Sequence, residues 1–247
     1  MQEAPLLKQQ DKSSPGIRAV ILDYGQVLAG RPTNEEFGRM AAVFDVSFAE
    51  FYELWEASRN RYDRGDLTAE EYWRQLATQM HTPIDQRQIA MLRKVEVEIW
   101  CHTVPAMLDW VRQLRAAGIK TGLLSNMPWD LITHLRTNSK WLESFVFHTF
   151  SAEVRLIKPE PAIFEHTLRG LRASAAETLF VDDRAANIQA AHRLGIRGIQ
   201  FHSTGQLREE LEFLGFPILP PVSESSAGTT VATPPNGAGP QSTSPSR

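Results

Sequence analysis

The chain of 247 residues has a single cysteine, Cys101. No intrachain disulfide is therefore possible. With 7 scattered histidines and no Cys pair, a structural zinc site has no ligand set. Long apolar runs are also missing; none approaches the ~20 residues that a membrane span needs. The N-terminal MQEAPLLKQQDKSSPG lacks the apolar core of a signal peptide, so a soluble, cytoplasmic protein is expected. Charge of one sign is absent too. The 26 Lys and Arg face 29 Asp and Glu, a net charge of -3. That balance gives no electrostatic reason to expect nucleic acid or an anionic membrane as partner. There is no Walker A sequence and no Gly-x-Ser-x-Gly, so P-loop and serine-hydrolase mechanisms lack support.

What is present suits a folded core: 42% hydrophobic and 22% charged residues. The ends differ from the middle. Residues 1–16 are polar and are expected to be flexible. From Pro217 to Arg247 the chain is rich in Pro, Ser, Thr, Gly and Ala and has no aromatic residue. Such a segment buries too little apolar surface to offset its ordering entropy, and is read as a disordered tail.

Between the ends, Ile17 to Leu22 is an apolar run that stops at Asp23-Tyr24-Gly25, a buried strand entering a loop. Asn34 to Glu98 has helical periodicity, divided by Asp45, Gly65-Asp66 and Thr82-Pro83. Thr68 to Glu71 has the form of a capping box. The segment reads as about four helices. After Val104, short strands alternate with helices. Strands fall at Lys120–Leu124, near Phe147–Phe150, at Thr178–Val181 and at Arg197–Phe201. Helices fall at Ala106–Ala117, Asp130–Thr137, Glu160–Gly170 and Ala185–Leu194. The pattern predicts an α/β fold, a Rossmann-like parallel sheet covered by helices, with an inserted helical lobe.

Ligands bind open α/β sheets at the carboxyl ends of the strands. The predicted strand ends carry Asp23, Ser125-Asn126 and Asp182-Asp183, and Lys158-Pro159 follows the third strand. A carboxylate can act as nucleophile. Several carboxylates can hold Mg²⁺ through hard oxygen ligands. A hydroxyl and a lysine can hold phosphate oxygens.

The order LDYGQV, LLSN, RLIKPEPAIF, FVDDRAAN resembles the four motifs of the haloacid dehalogenase (HAD) superfamily. The segment Tyr62 to Thr68 resembles the helical C1-type cap of the branch containing sugar phosphatases and the N-terminal phosphatase domain of soluble epoxide hydrolases. The resemblance implies a catalytic core of residues 17–31 and 101–216 and a cap of about 32–100. It implies a Mg²⁺-dependent phosphatase that hydrolyses small phosphorylated metabolites through an aspartyl-phosphate. Asp23 matches the nucleophile. The Gly25 carbonyl and Asp183 match direct Mg²⁺ ligands, with Asp182 and Asn187 in support. Ser125, beside Asn126, matches the phosphoryl-binding hydroxyl, and Lys158 the charge-neutralising lysine.

One departure matters. The usual first motif is Asp-x-Asp, and its second Asp protonates the leaving group; here that place is Gly25. Loss of general acid catalysis costs ~10²–10⁴-fold. Three readings stay open: a phosphatase assisted by a water, by Gln26-oriented solvent or by a cap side chain; a 2-haloacid dehalogenase; and a non-catalytic binding or regulatory protein. Among the remaining residues, Trp55, Tyr62, Tyr72 and Trp73 read as packing groups. Arg59, Arg61 and Arg64 read as a solvated face with the reach to contact a substrate phosphate or sugar, Arg184 as solvated, and Cys101 as a small buried filler. His102, His134 and His148 show no ligand spacing.

Overall fold

The computed structural model describes residues 16–222. The elements run β1 (Ala19–Leu22), α1 (Asn34–Ala41), α2 (Phe48–Asp63), α3 (Ala69–Gln79), α4 (Gln86–Ile99), α5 (Pro105–Ala116), β2 (Lys120–Ser125), α6 (Trp129–Asn138), β3 (Phe147–Phe150), α7 (Ser151–Val154), α8 (Pro161–Leu171), β4 (Thr178–Asp182), α9 (Ala185–Arg193), β5 (Arg197–Gln200) and α10 (Thr204–Phe213). Short 3₁₀ turns precede β3 and β4.

The five strands form one parallel sheet in the order β3-β2-β1-β4-β5. β1 takes the middle because all four of its residues are apolar and fully buried, as a strand covered on both faces requires. Its side chains alternate between two cores. Val20 and Leu22 join Met107 and Trp110 of α5 and Leu207 and Leu211 of α10. Ile21 joins Ile163 and Phe164 of α8 and Ile188 of α9. The register places Leu22 opposite Leu123 and Val181, so the chain leaves β1, β2 and β4 along one rim of the sheet.

Helices α1 to α4 pack around a separate core that includes Phe37, Phe44, Phe51, Trp55, Tyr72, Trp73 and Leu92. Three of them start with capping boxes, Thr33 with Glu36, Thr68 with Glu71 and Asp85 with Gln88, each cap worth ~1 kcal/mol. This lobe docks on the sheet layer close to α7. Gly65 (φ +79°) allows it: a Cβ there would stand 2.8 Å from the carbonyl oxygen of Ala152. Ser151 Oγ donates to the Asp63 carbonyl, Arg64 pairs with Glu160, and Arg93 forks onto Asp130 at 2.7 and 2.8 Å.

Three sequence expectations shift. β1 starts at Ala19 rather than Ile17, although Arg18 already bonds on both sides, its N–H donating to the Glu177 carbonyl and its carbonyl accepting from Lys120 N. Helix α10 had no strong periodic signal and was not expected. Residues 217–222, placed in the tail by composition, lie against the core. Trp110 Nε1 donates to the Ile218 carbonyl at 2.8 Å, and Arg208 to that of Pro220 at 2.9 Å. Their apolar Ile218 and Leu219 supply the reason. The rest of the expected tail, 223–247, and the flexible N-terminus up to residue 15 lie outside the described residues. No described helix is long and apolar enough to cross a membrane.

Candidate active site

The rim of the sheet gathers the predicted residues into one pocket between the two lobes. Asp23, Gly25, Ser125, Asn126, Lys158, Asp183 and Asn187 all line it. Asp182 lies just beneath, fully buried.

Asp23 sits one residue past β1, its N–H donating to the Val181 carbonyl at 2.9 Å. Its Oδ1 accepts from the Tyr24 N–H at 2.7 Å and lies 2.9 Å from Lys158 Nζ. Lys158 Nζ also donates to Asp182 Oδ2 at 2.7 Å and to the Leu124 carbonyl at 3.1 Å. Three N–H bonds thus meet three acceptors, and the ammonium is fixed. Asp182 has no free oxygen. Asn187 Nδ2 donates to both of its oxygens, at 2.9 and 3.0 Å, and Arg184 N donates to Oδ1 at 2.8 Å. Asp183 points the other way and accepts from Gln26 Nε2 at 2.8 Å. Gln26 reaches it from a left-handed backbone, φ 58°.

Oxygens of Asp23, Asp182 and Asp183 lie within 4.8 Å of one another. Burial pushes the Asp23 carboxyl up to about 7. Lys158 opposes the rise, and Asp182 and Asp183 reinforce it. Asp183 is likewise raised, by burial first and Asp182 second. Burial pulls Lys158 down, but Asp182 and Asp23 outweigh it and the net shift is upward. Three carboxylates face one ammonium, so negative charge is in surplus at a water-poor place. Hard oxygen donors with surplus negative charge fit Mg²⁺. The donor set suits that ion, with Asp23 and Asp183 facing the pocket.

Ser125 ends β2 and is buried against Phe150 of β3 with its side chain on the pocket. Asn126, read as a substrate contact, is engaged elsewhere. Its Nδ2 donates to the Lys158 carbonyl at 3.0 Å, and its Oδ1 accepts from the Lys158 N–H at 2.9 Å. It clamps the segment that carries the lysine.

Arg59 departs from the solvated reading and Arg64 is half-buried against Glu160, while Arg184 stays exposed. Arg59 is buried: it pairs with Asp63 at 2.5 Å and with Glu96, and lies over the rings of Trp55, Tyr62 and Tyr72. Arg184 crosses to the helical lobe and meets Glu56 Oε1 at 2.6 Å. Both line the pocket with Trp55, Glu56, Asn60 and Asp63. Cys101 is half-buried, its thiol donating to the Val97 carbonyl at 3.0 Å.

Trp100 carried no sequence signal. It ends α4, packs against the cores of both lobes and lines the pocket. A Cβ on Gly25 would stand 3.5 Å from its Cζ3 and 3.8 Å from its Cη2. The Trp100 carbonyl accepts from Tyr24 Oη at 2.5 Å. The place beside the second position of an Asp-x-Asp motif is therefore bordered by an indole ring.

The sequence profile of the haloacid dehalogenase-like hydrolases matches residues 7–195. A sesquiterpene phosphatase of Aspergillus oryzae is 28% identical over 196 residues, 79% of this chain and 94% of that protein. A D-ribitol-5-phosphate phosphatase of Bacteroides thetaiotaomicron is 26% identical over 157 residues, 60% and 73% of the two chains. Two solved structures share the fold. One is a HAD family enzyme of Bacteroides thetaiotaomicron in complex with magnesium and inorganic phosphate (TM-score 0.61, 22% identity, 76% of this chain and 95% of that one). The other is an L-2-haloacid dehalogenase of Xanthobacter autotrophicus (TM-score 0.58, 20% identity, 83% and 85%).

Proposed function

The chain belongs to the haloacid dehalogenase-like hydrolase family, and we propose that it is a Mg²⁺-dependent phosphatase acting on small phosphorylated metabolites through an aspartyl-phosphate on Asp23. The observation that carries this reading is the set of three carboxylates around Lys158 at the sheet rim. The two phosphatases among its relatives support it. A halide-releasing reaction has no use for the surplus of buried carboxylates, which weighs against the dehalogenase alternative.

In this proposal residues 17–31 and 101–216 are the catalytic core and about 32–100 the cap. Asp23 Oδ1 is held by Tyr24 N and Lys158, which leaves Oδ2 to attack phosphorus in line with the leaving oxygen. The P–O bond to the leaving group breaks and its electron pair departs on that oxygen. Lys158 and the Ser125 hydroxyl stabilise charge on the transferring group. Asp182 and Asn187 orient Lys158, and Asn126 holds its backbone. Asp23, the Gly25 carbonyl and Asp183 are the residues that would hold Mg²⁺. The ion would neutralise phosphate charge and polarise the phosphoryl oxygens. Water then hydrolyses the aspartyl-phosphate and frees Asp23. The docked helical lobe excludes bulk water from the pocket.

Hydrolysis of p-nitrophenyl phosphate tests the reading. Turnover with Mg²⁺ that disappears with EDTA and with Asp23→Asn is the expected result. A folded wild-type chain without turnover, or Asp23→Asn as active as wild type, would overturn it.

A further inference from the structure

We propose that the phosphatase pocket takes a phosphate monoester of a phenol, with Trp100 as the wall against which the aromatic leaving group lies. The inference rests on the phosphatase reading and narrows its substrate class.

Two independent features point the same way. The first is chemical. Gly25 offers no proton to the leaving oxygen, so an ester whose alcohol departs readily without prior protonation reacts most easily. Such a site favours leaving groups that are stable as anions. A phenol, ionising near ~10 like a tyrosine side chain, meets that demand far better than an aliphatic or sugar hydroxyl.

The second is geometric. A Cβ at position 25 would lie in ordinary van der Waals contact with the Trp100 ring, at 3.5 and 3.8 Å, so the indole borders the place beside Gly25. Trp100 is held there: its carbonyl accepts from Tyr24 Oη at 2.5 Å, and Tyr24 stacks on Trp141 at 5.8 Å. Trp55, Met127 and Leu131 line the same pocket and extend the apolar wall. Aromatic rings gain by stacking on such surfaces beyond simple burial.

Most polar groups of the wall are already engaged, Asn60 being the exception. Arg59 holds Asp63 and Glu96, Arg184 holds Glu56, Asn126 holds the Lys158 backbone and Gln26 holds Asp183. The hydroxyls of a polyol would have to compete with these pairs, whereas a flat ring displaces none of them.

The reaction balances without an added acid. A carboxylate oxygen of Asp23 bonds to phosphorus, the P–O(aryl) bond breaks, and its electron pair leaves on the aryloxide. That anion takes its proton from solvent. Water then attacks phosphorus and releases inorganic phosphate and the Asp23 carboxylate.

Calorimetric binding of phenylphosphonate, methylphosphonate and inorganic phosphate to the full chain with Mg²⁺ tests the subsite apart from turnover. Phenylphosphonate is expected to bind at least about tenfold more tightly than methylphosphonate, from ring burial and stacking. Trp100→Ala should shrink that ratio to within about threefold while inorganic phosphate binds as before. Trp100→Leu, which keeps an apolar side chain without a ring, decides the point if Trp100→Ala does not fold. Equal binding of the two phosphonates by wild type, or a ratio untouched by either variant, would overturn the proposal. If the phosphonates bind equally while p-nitrophenyl phosphate is still hydrolysed, only the aromatic subsite fails. If binding is ring-selective and no ester turns over, the phosphatase reading fails and the subsite stands.

Discussion

Lys158 Nζ donates to Asp182 Oδ2 across 2.7 Å, in a place where the two side chains are almost wholly shielded from water. Asp182 also receives Asn187 and the backbone of Arg184. It therefore orients the lysine, the start of α9 and, through chain continuity, Asp183. The residue called supporting on sequence grounds is the hub of the hydrogen-bond network.

Truncating that hub leaves a buried ammonium with one carboxylate fewer. Asp182→Ala is expected to destabilise the fold by roughly 3–5 kcal/mol, the range for removing one partner of a buried pair. Asn187→Ala removes the donor shared by both Asp182 oxygens and is expected to cost about 1–3 kcal/mol, as for a hydrogen bond to a charged group. Urea midpoints at constant slope measure both. An Asp182→Ala variant as stable as wild type would contradict the network as described.

Gly25→Asp is expected to lower p-nitrophenyl phosphate turnover rather than supply the missing acid. Its Cβ fits against Trp100, but the carboxylate beyond it would meet the indole and add a fourth acid to the cluster. Combining it with Trp100→Ala should recover part of that loss, a coupling that a double-mutant cycle reads directly. Purely additive effects would show that the ring does not block the position.

The Arg59 cluster predicts a pH-dependent stability. Burial holds the Asp63 and Glu96 carboxyls above their ordinary range, and Arg59 opposes the rise. Arg59→Leu removes that opposition and should cost roughly 3–5 kcal/mol near neutral pH. In the variant the folded state binds protons that the unfolded chain releases. Stability is then highest at low pH and is lost as pH climbs through the raised values. Urea midpoints at about pH 5 and pH 8 should therefore differ more in the variant than in wild type, with the lower midpoint at pH 8. A variant with the wild-type pH slope would contradict the assignment.

Metal binding should be linked to protons as well. Asp23 is held near 7 by burial and by its acidic neighbours, and a cation takes the carboxylate form. Mg²⁺ uptake near neutral pH is thus expected to release a proton. Its affinity should weaken as pH falls below 7, by up to about tenfold per unit for one linked proton. Calorimetry in buffers of different ionisation enthalpy measures the release directly, and a pH-independent affinity would contradict it.

The sheet and its rim were legible because β1, β2 and β4 are largely apolar runs that stop at polar residues. Those stops are the places where Asp23, Ser125 and Asp182 sit, and Lys158 follows β3 after a short helix. Helix starts were legible where the cap is local, as with Thr68 and Glu71. What was not legible depends on long-range convergence. Arg59 reads as solvated in its own helix, and only the tertiary arrangement of the helical lobe brings Glu96 of α4 to it. Trp100 and Gly25 are 75 positions apart, so nothing local says that one fills the space left by the other. Asn126 reads as a ligand contact by adjacency to Ser125, yet the loop before α8 returns and takes both ends of its amide.

The most direct measurement of the central claim is reductive trapping of the phosphorylated carboxylate. The full chain turning over p-nitrophenyl phosphate with Mg²⁺ is quenched, reduced with borohydride and mapped by peptide mass. The account predicts homoserine at position 23, absent with EDTA and in Asp23→Asn. Turnover with no trapped residue, or with the modification on another side chain, would contradict it.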